Sequence, residues 1–174
     1  MSEKSTQEDF NDSEVVIGLV GPVGVDFALI TDLLQSRLTA YRYTTVVVRV
    51  SSMIIPQFAQ VPSYNSEYER VRNLMDAGDQ TRQSTGDNSI LAKGVAAYIA
   101  SQREQREELR PRTAYIVHSL KHPDEVYRLQ GIYPHGFYLI GVYSSTTRRR
   151  QYLVDRKGMS GRRERRRDTR CRRQ

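Results

Sequence analysis

The stretch EVVIGLVGPVGVDFA, residues 14–28, decides the fold. Its first half is a short β-rich apolar run that ends in glycine, which is typical of a strand buried on both faces of a parallel sheet. Apolar residues then recur at helical spacing over residues 25–38. A buried strand, a glycine turn and a helix together predict the first βα unit of an α/β domain.

The same alternation continues along the chain. We predict further strands at 43–50, 113–119 and 136–143, and helices at about 66–76, 88–108, 122–131 and 146–155. Gly78 and residues 85–87 are expected to break the helical pattern, and Pro123 with two following acids suits a helix N-terminus. This order predicts a doubly wound parallel sheet with helices on both faces and right-handed crossovers. Ligands of such sheets bind at the carboxyl ends of the strands, here at 21–27, 51–55, 119–123 and 143–149.

Charge is unevenly distributed along the chain. The net charge is +7, but residues 148–174 hold thirteen Lys or Arg against three Asp or Glu, a balance of +10, so residues 1–147 carry −3. We therefore predict a flexible polar arm over residues 1–13, a folded domain over 14–157 and a basic, disordered tail over 158–174. An argument for nucleic-acid binding from charge concerns that tail alone.

Several protein classes are excluded by the composition. No apolar stretch has membrane-spanning length and the N-terminus lacks the pattern of a signal peptide, so we expect a cytoplasmic protein with no membrane partner. Cys171 is the only cysteine and cannot form an internal disulfide. The three histidines lack the spacing of a zinc site.

The turn after the first strand has the placement of a phosphate-binding loop. A complete loop has the pattern G-x-x-x-x-G-K-[ST], in which lysine neutralises phosphate charge and the hydroxyl holds magnesium. Counted from Gly21, the second glycine falls on Asp26, the lysine on Phe27 and the hydroxyl on Ala28. We therefore expect no phosphoryl transfer from ATP. Two interpretations remain open, weak nucleotide binding or a tight turn without a ligand.

Three stretches resemble one protein family: VIGLVGPVG (16–24), RTAYIVHSLKHPDEV (112–126) and FYLIGVYS (137–144), the last followed by an arginine triplet at 148–150. They resemble the N-terminal domain of bacterial two-domain deoxycytidylate deaminase-like proteins, a group linked to antiphage defence. In that family a P-loop, nucleotide-kinase-like domain precedes a zinc-dependent deaminase domain. The resemblance covers about residues 14–160 and is most specific at 75–82 and 119–126. The same blocks are similar, more loosely, to deoxynucleoside monophosphate kinases.

The resemblance implies a P-loop NTPase-like fold over 14–157 and a nucleotide-binding or regulatory role, with dCTP, dCMP, dTTP or ATP as the ligand. The catalytic half of the family is missing, because none of His118, His122 and His135 begins H-x-E and Cys171 has no P-C-x-x-C partner. Zinc is therefore expected only in the family's deaminase domain. We expect that domain as a partner, and self-association through the surface it would cover.

No catalytic residue or metal ligand is predicted for this chain. The predicted phosphate contacts, carried partly by the kinase resemblance, are Gly21, Pro22, Val23, Gly24, Val25, Asp26, Phe27, Arg82 and Arg148. Arginine binds phosphate with two parallel hydrogen bonds, although each of these two arginines also fits a solvated helix face. Lys121 and His122 lie at a strand carboxyl end, which is the side of the sheet where a ligand would bind.

Two other functions remain open at this point. One is a deoxynucleoside monophosphate kinase that uses an unusual loop, which Phe27 and Ala28 disfavour. The other is an RNA- or protein-binding domain that acts through the basic C-terminus. The tail itself has two explanations, a natural basic arm or out-of-frame translation, and we favour the second.

Overall fold

The computed structural model describes residues 14–104 and 112–159. Four parallel strands form one sheet in the order β2-β3-β1-β4, with β1 at Val15–Val20, β2 at Thr44–Arg49, β3 at Thr113–Leu120 and β4 at Phe137–Gly141. The helices are α1 (Phe27–Ala40), α2 (Ile55–Phe58), α3 (Glu67–Thr85), α4 (Ile90–Glu104), α5 (Pro123–Ile132) and α6 (Thr146–Asp155), and a π-helical turn at Val50–Ile54 precedes α2. The predicted α/β fold with a parallel sheet is confirmed.

Helices cover both faces of the sheet, as predicted. Side chains of β1 alternate between the faces, so that Val16 joins one apolar cluster while Ile17 and Leu19 join another. The larger cluster lies under α3, α4 and α5. Besides Val16, its fully buried members are Val48, Ile54, Leu91, Ala92, Val95, Ile99, Tyr115, Val117, Leu120 and Leu129. The smaller cluster lies under α1 and includes Ile116 with the partly buried Phe27, Ile30, Leu34 and Leu38.

The strand order places a switch point between β1 and β3. From β1 the chain crosses through α1 to the outer strand β2, then returns through α2, α3 and α4 to β3 beside β1. From β3 it continues in that same direction through α5 to β4. The connection that leaves β1 runs toward β2, and the one that leaves β3 runs the opposite way, toward β4. Because right-handed crossovers in opposite directions lie on opposite faces, these two connections leave the sheet on opposite faces. A crevice at the carboxyl ends of these two strands is the usual ligand position in such sheets.

One predicted boundary is wrong. A helix ending near residue 76 was expected from Gly78, yet α3 continues to Thr85. A Cβ at Gly78 would lie 3.2 Å from the side chain of Ile55, so this glycine allows close packing within the helix. The helix ends instead at Gly86, whose φ of 64° is the left-handed conformation typical of a C-cap. The predicted helix 88–108 corresponds to α4, and its last four residues lie outside the described ranges.

The predicted arm and most of the predicted tail fall outside the described residues. Of the tail, the structure describes Gly158 and Met159. Met159 is buried, and its N–H donates to the carbonyl of Leu153 at 2.9 Å. The packed part of the chain therefore extends at least two residues past 157. Within the described ranges, no helix has the length and apolarity needed to cross a membrane.

Candidate functional site

The loop after β1 is held tightly against the segment that follows β4. A Cβ on Gly21 would lie 2.8 Å from the carbonyl of Val142, and one on Gly24 would lie 2.9 Å from the carbonyl of Arg149. Gly24 also has a φ of 88°, in the region that favours glycine. Both glycines are therefore required by the turn and its packing, whether or not a ligand binds there.

Asp26 occupies the N-terminus of α1. Its carboxylate accepts hydrogen bonds from the N–H groups of Ala28 at 3.1 Å and Leu29 at 3.4 Å. These N–H groups have no partner within the helix, and together with the helix dipole they form the usual anion position at a helix start. The loop thus places its own carboxylate where a phosphate-binding loop holds phosphate.

The two residues after Asp26 bring neither charge nor hydroxyl to this position. Phe27 packs into the apolar cluster under α1, and its ring centroid lies 5.8 Å from that of His118. Ala28 is exposed. A lysine and a hydroxyl would be needed at these positions to neutralise phosphate and hold magnesium.

Two cations contact the backbone carbonyls of the loop. The ammonium group of Lys121 donates to the carbonyl of Gly21 at 3.2 Å, and Arg149 donates to that of Val23 at 2.9 Å. Arg149 also contacts the Thr146 hydroxyl at 3.3 Å, within its own helix. The loop after β3 and the N-terminal turns of α6 therefore both meet the loop after β1. Arg148, the residue of the arginine triplet that was predicted to contact phosphate, is exposed. Its neighbour Arg149 is the one that contacts the loop.

A second carboxylate organises the turn after β3. Glu125 is fully buried in the first turn of α5. One of its oxygens accepts from Arg82 at 2.7 Å, and the other accepts the backbone N–H groups of Lys121 at 2.7 Å and His122 at 3.1 Å. The His122 ring in turn caps the helix by accepting from the N–H of Asp124. The turn carrying Lys121 is thus fixed by a buried ion pair.

Arg82 lies in the last turn of α3, with 11% of its side chain exposed. Besides Glu125 it pairs with Asp79 at 3.1 Å, while its Nε atom is buried without a hydrogen-bond partner. The predicted phosphate contact of Arg82 stays a prediction, since the guanidinium here already pairs with two carboxylates. Sequence reasoning missed its pairing with Glu125, because no local pattern connects residues 43 positions apart.

His118 is a further buried polar residue that the sequence did not single out. Its Nε2 lies 2.6 Å from the Thr31 hydroxyl, which donates to the carbonyl of Phe27 at 2.7 Å. Burial, followed by the charge of Arg49, lowers the pKa of His118 to about 4, so the ring is neutral near pH 7. This contact ties β3 to the first turns of α1, directly below the loop.

Two of the described histidines already have local hydrogen-bond partners. His118 is bonded to Thr31 and His122 caps α5, so the two rings serve local structure. Over 14–104 and 112–159, no three His, Cys, Asp or Glu residues are grouped to hold a metal ion.

A scan against models of known protein families found no match, and neither did a search of curated proteins.

Proposed function

We propose that this chain is a P-loop-like domain that binds a nucleotide between the carboxyl ends of β1 and β3 and regulates a partner without transferring phosphate. The observation that carries the proposal is the position of Asp26. Its carboxylate lies on the N–H groups of Ala28 and Leu29 in a glycine loop at the switch point of the sheet. A phosphate entering this position would replace that carboxylate.

The surroundings of the loop support an anionic ligand. Lys121 and Arg149 both lie within hydrogen-bond distance of the loop carbonyls, so two cations are already present at the crevice. Asp26 is part-buried, and its carboxylate accepts from two backbone N–H groups within three residues and interacts with the hydroxyl of Tyr152 on α6. An incoming phosphate competes with this carboxylate and gains two neighbouring positive charges.

Phosphoryl transfer is disfavoured by the same geometry. Catalysis of this reaction depends on positioned positive charge and magnesium around the transferred group. Phe27 is packed into the core at the position where the lysine is needed, and Asp26 adds negative charge beside it. A kinase function would therefore require residues that this loop does not supply.

The regulatory part of the proposal comes from the family resemblance. In that family a domain of this kind precedes a zinc-dependent deaminase. We propose that the nucleotide-binding domain regulates that deaminase domain. The ligand would then be a deoxynucleotide such as dCTP, dCMP or dTTP, with ATP as the alternative. Binding would be reported to the partner domain through α6, since Arg149 links that helix to the loop.

The test is calorimetric titration of the chain with dCTP, dCMP, dTTP and ATP, with and without magnesium, in the wild type and in Asp26→Asn. Asparagine is an equally good N-cap, so the variant removes charge while keeping the helix start. We expect saturable binding of one nucleotide, tightened about tenfold by the substitution, because a negative charge no longer opposes phosphate.

Asp32→Asn is the matched control. Asp32 is exposed on α1 beyond the capping turn, and its substitution changes the net charge equally. The control should leave the affinity near that of the wild type. Absence of binding to every nucleotide in both wild type and Asp26→Asn would reject the nucleotide site. Transfer of labelled phosphate from ATP to a deoxynucleoside monophosphate would reject the non-catalytic role.

A further inference from the structure

Within residues 14–104 and 112–159, no strand pairs with the outer edge of β4. β4 is the terminal strand of the sheet, and no described strand lies beyond it. Its sequence, FYLIG, contains no charge and no proline. Natural proteins usually protect such edges with lysine, proline or a bulge, because the free backbone groups recruit another strand. None of these protections is present in β4.

Except for the N–H of Phe137, backbone groups of β4 on that edge have no hydrogen-bond partner among the residues that the structure describes. The N–H of Val16 donates to the carbonyl of Gly136, and that of Val142 donates to the carbonyl of Val20. Backbone groups alternate in direction along a strand, so the even-numbered residues from 136 to 142 face β1. The backbone groups of Leu139 and Gly141 therefore point outward. Phe137 also points outward, although its N–H donates to the carbonyl of Tyr133.

Apolar side chains accompany this edge on the face covered by α1. Ile140 packs with the smaller apolar cluster, so Tyr138 lies on that same face, where it is 57% exposed. On α1, the side chain of Gln35 donates a hydrogen bond to Thr45 of β2, so this side of the helix faces β2. The opposite flank, toward β4, carries Leu33, which is 55% exposed.

We propose that β4 pairs antiparallel with β4 of a second copy of this chain, forming a continuous eight-stranded sheet. A two-fold axis at Leu139 places this residue opposite itself as a hydrogen-bonded pair, since its backbone groups point outward. Tyr138 then lies opposite Ile140 of the second copy, an aromatic and β-branched pair of the kind that stabilises sheets. One strand thus supplies both sides of the interface, as a two-fold contact requires.

The charge pattern near β4 favours a second copy of this chain as the partner that pairs with this edge. Any charged residue near a two-fold axis meets its own equivalent, which repels it. Residues 136–147 contain no Asp, Glu, Lys or Arg, although 27% of the whole chain is charged. The uncharged stretch extends through the strand and the turn after it, where Tyr143 is 87% exposed. In the register centred on Leu139, Tyr143 lies opposite His135 of the second copy.

Sedimentation velocity of the full chain over a concentration series tests the proposal. We expect a dimer that dissociates on dilution, and a dissociation constant raised about tenfold or more in Leu139→Lys, because two lysines then meet at the axis. Tyr127→Lys is the matched control, since Tyr127 is 67% exposed on α5 and away from β4. It should dimerise as the wild type does.

Disulfide trapping tests the register independently of the lysine variant. In a Cys171→Ser background, Leu139→Cys should form a covalent dimer, because Cα atoms in a hydrogen-bonded antiparallel pair lie about 5.5 Å apart, within disulfide reach. Tyr138→Cys should cross-link far less, since residue 138 faces residue 140 of the partner. A wild type that is monomeric at every concentration overturns the proposal. So does a dimer that persists in Leu139→Lys, or one that cross-links better through position 138 than through 139.

Discussion

The two turns that meet at the crevice each contain a carboxylate at the start of a helix, but the two carboxylates are held very differently. Glu125, after β3, is fully buried and accepts hydrogen bonds from Arg82 and from two backbone N–H groups. Asp26, after β1, is part-buried, accepts from two local N–H groups at 3.1 and 3.4 Å, and interacts with the neutral hydroxyl of Tyr152 on α6.

This difference separates a structural carboxylate from a displaceable one. A buried charge must keep its partner, because an uncompensated ion in the interior is costly. An N-cap carboxylate at the surface contributes only a modest, local stabilisation and can be replaced by another anion. We infer that the turn after β3 is the rigid side of the crevice and that the loop after β1 is the side that responds to a ligand.

The largest expected effect comes from breaking the rigid side. Glu125→Ala leaves the Arg82 guanidinium with only Asp79 and removes the acceptor of two backbone N–H groups. We expect the free energy of unfolding, measured in urea, to fall by about 3 kcal/mol or more. Asp124→Ala, which removes an exposed acid from the same helical turn, should cost about 0.5 kcal/mol.

A double-mutant cycle sharpens this prediction. Glu125→Ala combined with Arg82→Ala should cost less than the sum of the single changes, because the pair is then removed together. Additive costs would show that the ion pair contributes no coupling. A loss in Glu125→Ala no larger than in Asp124→Ala would contradict the view that this turn is the rigid side.

A second prediction concerns His118, which joins the strand on the rigid side to the helix on the responsive side. Burial lowers its pKa from the ordinary 6.5 to about 4. The unfolded chain therefore binds a proton between these pH values that the folded chain does not bind, and folding stability must fall as the pH drops from 6.5 toward 4. We expect this residue to account for about 2 kcal/mol of that loss.

Urea titrations at several pH values in the wild type and in His118→Gln measure this contribution. Glutamine does not titrate, so the difference in stability between the two proteins should shrink as the pH falls from 6.5 to 4. Carboxylates that titrate in this range contribute equally to both proteins and cancel. A difference that stays constant with pH would mean that His118 is not held neutral by the fold.

The sequence predicted the fold well because the responsible signals are local. Each buried strand is a short apolar run, each helix has its own spacing, and Pro123 with Glu125 marks the start of α5. The break expected at Gly78 was wrong, since a glycine weakens a helix but does not end one when the residues around it are packed.

The candidate site was only partly predictable for the opposite reason. The glycine loop and the missing lysine could be identified by counting from Gly21. The partners of Arg82 and His118 depend on tertiary contacts across 43 and 87 positions, and no spacing rule reaches that far. The pattern also grouped Arg148 and Arg149, and only the orientation of α6 separates them.

The smallest expected effect on stability belongs to the responsive side. Asp26→Ala removes the cap of α1 and should lower the free energy of unfolding by about 1 kcal/mol, whereas Asp26→Asn should change it by only a few tenths. Ser66→Ala provides a matched comparison, because Ser66 caps α3 by accepting from the N–H of Glu69 at 3.2 Å. In urea, Asp26→Ala should lose at least as much stability as Ser66→Ala, because it also removes the partner of the Tyr152 hydroxyl.

Nucleotide binding should stabilise the two cap variants to different extents. If a phosphate takes the place of the Asp26 carboxylate, saturating nucleotide restores the N-terminus of α1 in Asp26→Ala, and the variant recovers more stability than the wild type gains. Ser66→Ala should gain only as much as the wild type, because Ser66 caps a different helix and does not touch the N–H groups that Asp26 caps. Equal gains in both alanine variants would contradict the idea that ligand and carboxylate compete for the same N–H groups.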